Sequence, residues 1–319
     1  MAQFVDHDGD TEDKGRRLSA TRRVSVAVTF VGALASFLGL AGPAQAARSC
    51  QSDAPTIVGT SRADTIVGTP GRDVINSGRG DDRIFGADGN DVICTGPGSD
   101  YVQGGAGRDA VISGSGNDVV RAGTRGDHVE GRLGKDRLAG GDGNDGLDGQ
   151  AGDDELVGQA GADALRGRDG NDMLADGPGQ DLVVGGPGGD SLDYRGVAGP
   201  VSVDLTAGEA SGPATGIDLL EGVENVIGTA SDDTIAGDGR ANELSGGAGD
   251  DDLAGLAGDD TLRGDEGTDS IDGGDGDDLC SAAEPGETVV NCEGSFRRAL
   301  GAHAAGYRLA SRFNLLTSS

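Results

Sequence analysis

An aspartate stands at every ninth position along the first half of the chain: Asp64, Asp73, Asp82, Asp91, Asp100, Asp109, Asp118, Asp127, Asp136, Asp145, Asp154, Asp163, Asp172, Asp181 and Asp190. A shorter series follows through Asp233, Asn242, Asp251, Asp260, Asp269 and Asp278. Carboxylates stacked in register by a repeating chain repel one another unless a cation lies between them. Carboxylate and loop carbonyl oxygens make a hard-oxygen donor set, which suits Ca²⁺ and its flexible coordination better than Zn²⁺, Cu²⁺ or Mg²⁺. The candidate ligands are the series members from Asp73 to Asp190 together with Asp233, Asp251, Asp260, Asp269 and Asp278, and the expected ion is Ca²⁺ in many copies. Asp64, the first of the series, is not among them.

The residues between these carboxylates say how they are positioned. Two residues after each Asp stands an aliphatic side chain, from Ile66 and Ile75 to Val183 and Leu192, and two before it stands Gly, except at Arg62 and Arg125. The unit reads G-x-x-G-x-D-x-U-x, with U aliphatic, and a short fixed period signals a stacked solenoid. The last three residues alternate outward, inward and outward as a very short strand, and the preceding six turn the chain. Two units complete a coil, so units i and i+2 stack at about 4.8 Å, giving an all-β, parallel solenoid of two sheets back to back. One aliphatic side chain per unit contributes roughly 1.5–3 kcal/mol on burial, against roughly 1–2 kcal/mol of backbone entropy for every ordered residue. Hydrophobic burial cannot win that contest, and cations between the rungs are expected to supply the difference.

Segments such as Gly140-Gly141-Asp142-Gly143-Asn144-Asp145-Gly146-Leu147-Asp148 resemble the RTX, or haemolysin-type, calcium-binding nonapeptide G-G-x-G-x-D-x-U-x. The resemblance covers residues 59–193 and 228–281. It implies a parallel β-roll in which the sixth-position Asp and the loop carbonyls ligate Ca²⁺. Arg62, Arg125, Ser231 and Arg240 depart from the second Gly, and Asn242 replaces an Asp. A composition with 62 Gly and 3% aromatic residues would otherwise point to disorder. Phase kept over fifteen units argues against disorder with calcium bound; without calcium, disorder is the favoured reading.

The chain divides into a leader at 1–46, an N-terminal cap at 47–58, a first repeat block at 59–193, an interruption at 194–227, a second block at 228–281, and a C-terminal cap and tail at 282–319. Arg16-Arg17 and Arg22-Arg23 precede an uncharged stretch ending at Ala41, with Pro43-Ala44-Gln45-Ala46 after it. This is the pattern of a signal peptide cut after Ala46, and an uncleaved anchor is the alternative. Thr21-Arg22-Arg23 hints at twin-arginine export, but a protein that needs calcium to fold fits the general secretory route better. In the interruption, Val201-Ser202-Val203-Asp204-Leu205 alternates like a strand, and Tyr194 and Glu224-Asn225-Val226-Ile227-Gly228-Thr229 have counterparts in the family. It reads as a wider coil or a joint between two rolls. The four Cys pair most simply as Cys50–Cys94 and Cys280–Cys292 in an oxidising exterior, a placement similar to that in secreted actinobacterial relatives. The tail, with Phe296, Leu300, Tyr307, Phe313 and Leu316 among four Arg, reads equally as a capping amphipathic helix or a frayed basic end.

Fifty-five acidic residues against 25 basic ones leave a formal charge of −30, which repels nucleic acid. Catalysis is not expected: His128, His303 and Lys135 are almost the whole complement of such groups after the leader, and neither H-E-x-x-H nor G-x-S-x-G occurs. The pairs Asp81-Asp82, Asp153-Asp154 and Asp277-Asp278 recur with the repeat, so ligation or a solvated turn explains them more simply than acid–base chemistry. Ice binding, which the resemblance would associate with an outward Thr array, finds one Thr, Thr124, at fifteen third-loop positions. The expectation is a secreted calcium-binding protein with a structural or adhesive role at the cell surface or in the extracellular matrix. No membrane span remains after leader cleavage. A calcium buffer, or a folding and secretion module derived from a larger exoenzyme or toxin, is the alternative.

Overall fold

A computed structural model of the chain describes residues 53–282 and 286–297. The leader, Cys50 and the tail beyond Arg297 lie outside the described residues. Within them every regular element is a strand, and no helix is long and apolar enough to cross a membrane.

Successive strands alternate between two sheets, one of 15 strands and one of 13. Within the repeat blocks each strand pairs in parallel with the strand one coil, or two units, away, so Leu147 lies between Val129 and Leu165 in one sheet while Leu138 lies between Val120 and Leu156 in the other. All of these side chains are fully buried, and the aliphatic column from Ile66 to Leu192 is the core. Many strands are longer than the three residues expected, while others, such as Thr65–Val67 and Met173–Ala175, keep three. Arg137–Asp142, Gly146–Ala151 and Glu155–Ala160 each run for six, continuing through the first three positions of the next unit before the chain turns. Backbone pairing therefore covers residues assigned to the turn, and the turn proper narrows to the three residues that end at the Asp.

Backbone conformation explains the glycines. The second and fourth positions of the unit take positive φ, as at Gly141 (114°) and Gly143 (151°). Gln150 and Gln159, both at 74°, hold the second position in the left-handed region that a non-glycine residue reaches at a cost. At the fourth position Arg125 is held at 80°.

The interruption leaves both sheets continuous. In the smaller sheet Ser191–Asp193 pairs directly with Asn225–Ile227, which pairs with Glu243–Ala248. The larger sheet widens: Leu182–Val184 pairs with Gly216–Glu221, antiparallel Glu209–Gly212 follows, then Ser202–Asp204, and Thr234–Ala236 resumes the roll. Buried Val203, Ala210 and Leu220 carry the core across this insert. Both caps contribute strands, Ile57–Val58 at the start and Thr288–Val290 and Gly294–Arg297 at the end. The start of the tail is thus a strand.

Candidate metal sites

The repeated Asp has two oxygens with different fates. Oδ1 accepts the backbone N–H of the Asp one coil earlier: Asp127 donates to Asp145 at 2.7 Å, Asp145 to Asp163 at 2.8 Å and Asp163 to Asp181 at 2.7 Å. Two such ladders run along the roll, one beginning Asp64 and Asp82, the other Asp73 and Asp91. Oδ2 is buried with no hydrogen-bond partner at Asp82, Asp91, Asp100, Asp109, Asp118, Asp127, Asp136, Asp145, Asp154, Asp163, Asp172, Asp181 and Asp190, and again at Asp251, Asp260, Asp269 and Asp278. A buried acceptor left unpaired costs the desolvation of that group, and a charged one costs more.

In most loops these oxygens face a glycine that opens the loop, whereas buried Ser77, Thr95, Ser113, Ala122 and Asp176 hold that position before Asp82, Asp100, Asp118, Asp127 and Asp181. A Cβ built on Gly131 would stand 2.5 Å from Oδ2 of Asp136 and 2.9 Å from the carbonyl oxygen of Gly149 in the next coil. The absent side chain leaves a cradle bounded by one carboxylate and one carbonyl oxygen, and hard oxygens of this kind suit Ca²⁺. Burial, reinforced by the neighbouring rungs, pushes the carboxyls up: Asp109 to about 6, Asp118 to about 7, and Asp127 and Asp163 to about 8. The backbone N–H donors oppose this rise without cancelling it. The fold therefore holds a column of acids in need of a counter-charge.

A sequence model of the family described as RTX calcium-binding nonapeptide repeat (4 copies) matches residues 58–93, 95–120, 121–156 and 157–192, and overlapping segments from 220 to 280. These matches span well over half of the chain. The chain belongs to this RTX family. It is a calcium-binding β-roll protein, and no curated protein matches the chain significantly.

Within the RTX roll some expected ligands stand apart. Oδ2 of Asp73 accepts the N–H (2.6 Å) and hydroxyl (3.0 Å) of Thr69, and Oδ2 of Asp233 accepts those of Thr229 at 2.6 and 3.1 Å. Asp64 is held the same way by Thr60. Each of the three follows a Gly-Thr pair by four residues, and the loop closes on itself where a ladder starts or resumes. Asn242 donates its N–H to Asp260, accepts from Asp238 and donates from Nδ2 to the carbonyl of Glu224, so it keeps the ladder without leaving an unpaired oxygen.

Three ladder members escaped the nine-residue pattern. Asp181 donates to Oδ1 of Asp218 at 2.9 Å across a separation of 37 residues, Asp190 to Oε2 of Glu224 across 34, and Asp278 to Oε2 of Glu293 across 15. Asp218 lies in a degenerate unit, Pro213-Ala214-Thr215-Gly216-Ile217-Asp218-Leu219-Leu220-Glu221. The two Glu occur where the loop is three residues shorter, as 34 is against 37 and 15 against the usual 18. The longer side chain spans the gap that the shorter loop leaves. The outer member of each acid pair is engaged differently, with Oδ1 of Asp153 accepting the N–H of Asn171 at 3.2 Å and Oδ1 of Asp81 that of Ser99 at 2.9 Å. Cys280 and Cys292 form a disulfide, tying the last two coils. Cys94 is disulfide-bonded, and its expected partner Cys50 lies outside the described residues.

Proposed function

We propose that this RTX protein is exported unfolded, folds as its ladders take up extracellular Ca²⁺, and then serves as a non-catalytic structural or adhesive element at the cell surface or in the matrix. The observation that carries the reading is the file of buried, unpaired Oδ2 atoms, one per loop along nearly the whole roll. The ligands are the ladder Asp from Asp82 to Asp190 together with Asp251, Asp260, Asp269 and Asp278, each working with a carbonyl of the next coil. Asp73 and Asp233 serve as loop-closing ends. The bound calcium supplies charge neutralisation between rungs; the chain supplies register, through the N–H to Oδ1 links, and in most loops a cradle that a missing side chain leaves open.

The −30 charge supports a chain that stays expanded until the ion is present. The leader pattern, with basic residues before an apolar stretch, supports export. The acid pairs are engaged in backbone hydrogen bonds, which supports a structural use of these groups over acid–base chemistry.

Far-UV circular dichroism during a calcium titration tests the folding step: β signal should rise from a disordered spectrum at up to millimolar Ca²⁺, the range of extracellular modules. A spectrum that calcium leaves unchanged refutes it. Retention of the protein on its producing cells or matrix with calcium, and its release by chelator, tests the adhesive role. Equal recovery in the medium under both conditions would favour buffering instead.

A further inference from the structure

We propose that Asp176, Asp181 and Asp218, with the hydroxyls of Thr215 and Tyr194, form a three-carboxylate calcium site distinct from the repeat sites and stronger than they are. The identity of the ion rests on the calcium reading above; Asp181 and Asp218 are ladder members that serve this site in place of a repeat site, and Asp176 adds a third carboxylate that no repeat site has.

Asp176 opens its loop, at the position where Gly158 and Gly167 open theirs. Its side chain is fully buried in the column that also holds Ala122 and Tyr194. Asp181 is the ladder member of that same loop, and Asp218 reaches it from the strand that follows the hairpin insert. The ligand oxygens of the three lie within 4.8 Å of one another, and among the described residues no other trio of acidic, His or Cys side chains converges so closely.

Their hydrogen bonds leave one side of the cluster open. Asp181 spends Oδ1 on the N–H of Asp163 at 2.7 Å, Asp218 spends Oδ1 on that of Asp181 at 2.9 Å, and Asp176 spends Oδ1 on that of Gly177 at 2.7 Å. Oδ2 of both Asp181 and Asp218 has no donor, and Oδ2 of Asp176 meets only the Tyr194 hydroxyl at 3.3 Å. Two neutral oxygens point the same way. Thr215, 1% exposed, turns its hydroxyl toward Asp218 with no hydrogen bond of normal geometry. Tyr194, fully buried, feels all three carboxylates. The groups acting on these acids are other acids, backbone donors, Thr215 and Tyr194, with no Arg or Lys among them. Three buried carboxylates without a cationic partner are costly, and five converging oxygens match most of a calcium shell.

Affinity in such sites rises with the number of carboxylates committed to one ion. The ladder carboxylates are shared between successive rungs, whereas Asp176 belongs to this site alone. Because Asp218 comes from beyond the hairpin, an ion here clamps the insert to the coil before it.

Terbium tests the site, since Tyr194 would sensitise its emission and the trivalent ion favours the most negative cavity. The full chain, held in millimolar calcium, is titrated with Tb³⁺ under tyrosine excitation. Emission should saturate at about one ion per chain, vanish in Tyr194→Phe and persist in Tyr101→Phe. Asp176→Gly, which restores the residue usual at that position, should lower the apparent terbium affinity at least tenfold while circular dichroism stays that of the folded roll. Emission that survives Tyr194→Phe, or a wild-type chain giving none, overturns the proposal, as does an Asp176→Gly chain that binds unchanged. Should Asp176→Gly fail to fold, the Tyr194→Phe comparison decides. A far-UV spectrum that calcium leaves unchanged sinks the preceding reading alone, because terbium emission and its loss in Tyr194→Phe are read without reference to it.

Discussion

Replacing Asp145 by Asn should move the stability of the roll in opposite directions with and without calcium. Asp145 stands mid-ladder: its Oδ1 accepts the N–H of Asp127, and its Oδ2 is buried and unpaired. The Asp145 carboxylate raises the pKa of both Asp127 and Asp163, each pushed to about 8, although burial is the larger cause. Two charges one rung apart, at about 4.8 Å, repel by about 3 kcal/mol at an effective dielectric constant of about 20. Partial protonation of the ladder near neutral pH reduces this to roughly 1–2 kcal/mol per neighbour. The amide can turn Nδ2 to the carbonyl of Asp127 and Oδ1 to a backbone N–H of its own loop, as Asn242 does with Glu224 at 2.8 Å and with Asp238. In chelator, Asp145→Asn should therefore raise the residual β signal. In calcium, the loss of one ligand from the two adjoining gaps should weaken those sites roughly tenfold and raise the calcium midpoint of folding. Circular dichroism in chelator and across a calcium titration reads both arms. A variant less structured in chelator and unchanged in its calcium midpoint would refute rung repulsion as the origin of the calcium requirement.

Acid should partly replace calcium: carboxyls raised from 3.8 to between about 6 and 8 in the fold bind protons on folding, so the ion-free roll is favoured most below pH 4 and loses that support as pH rises from about 4 to 8. The β signal in chelator should grow on acidification, and a signal flat across that window contradicts the assignment. Gly152, at φ 140° with a would-be Cβ overlapping the carbonyl of Gly134, should not tolerate Ala, at a cost of about 2 kcal/mol or more, while Gln150→Gly should gain up to about 1 kcal/mol by relieving the left-handed backbone. Denaturant melts in saturating calcium measure both. Leu147→Ala should cost about 2–5 kcal/mol, since that side chain is fully buried between coils. Reducing Cys280–Cys292, a loop with a separation of 12 residues, should remove about 3 kcal/mol of constraint and expose the C-terminal coils to hydrogen exchange before the centre of the roll.

Much of this architecture was legible in the chain because its period leaves little choice. An Asp two residues before an aliphatic residue, repeated at nine, can satisfy both only by stacking. Where the period failed, the reading failed with it. Asp218, Glu224 and Glu293 continue the ladders from outside the phase, and only the pairing of their strands places them under Asp181, Asp190 and Asp278. Asp73 and Asp233 carried the right residue in the right phase, but their Gly-Thr neighbours engage the oxygen that elsewhere is unpaired. Asp176 lies outside the nine-residue Asp phase, and only the fold brings its carboxylate within 4.8 Å of those of Asp181 and Asp218.

Sequence alone determined the class of fold, the two-unit coil, the inward aliphatic column and the hard-oxygen chemistry of the Asp series, because local periodicity dictates which groups share a face. Tertiary structure decided which oxygen of each carboxylate is already engaged, how long each strand runs, and how one sheet absorbs a hairpin while the other passes it by. Those outcomes depend on contacts between residues a coil or more apart, where a shorter loop or a single hydroxyl changes the partner without altering the pattern.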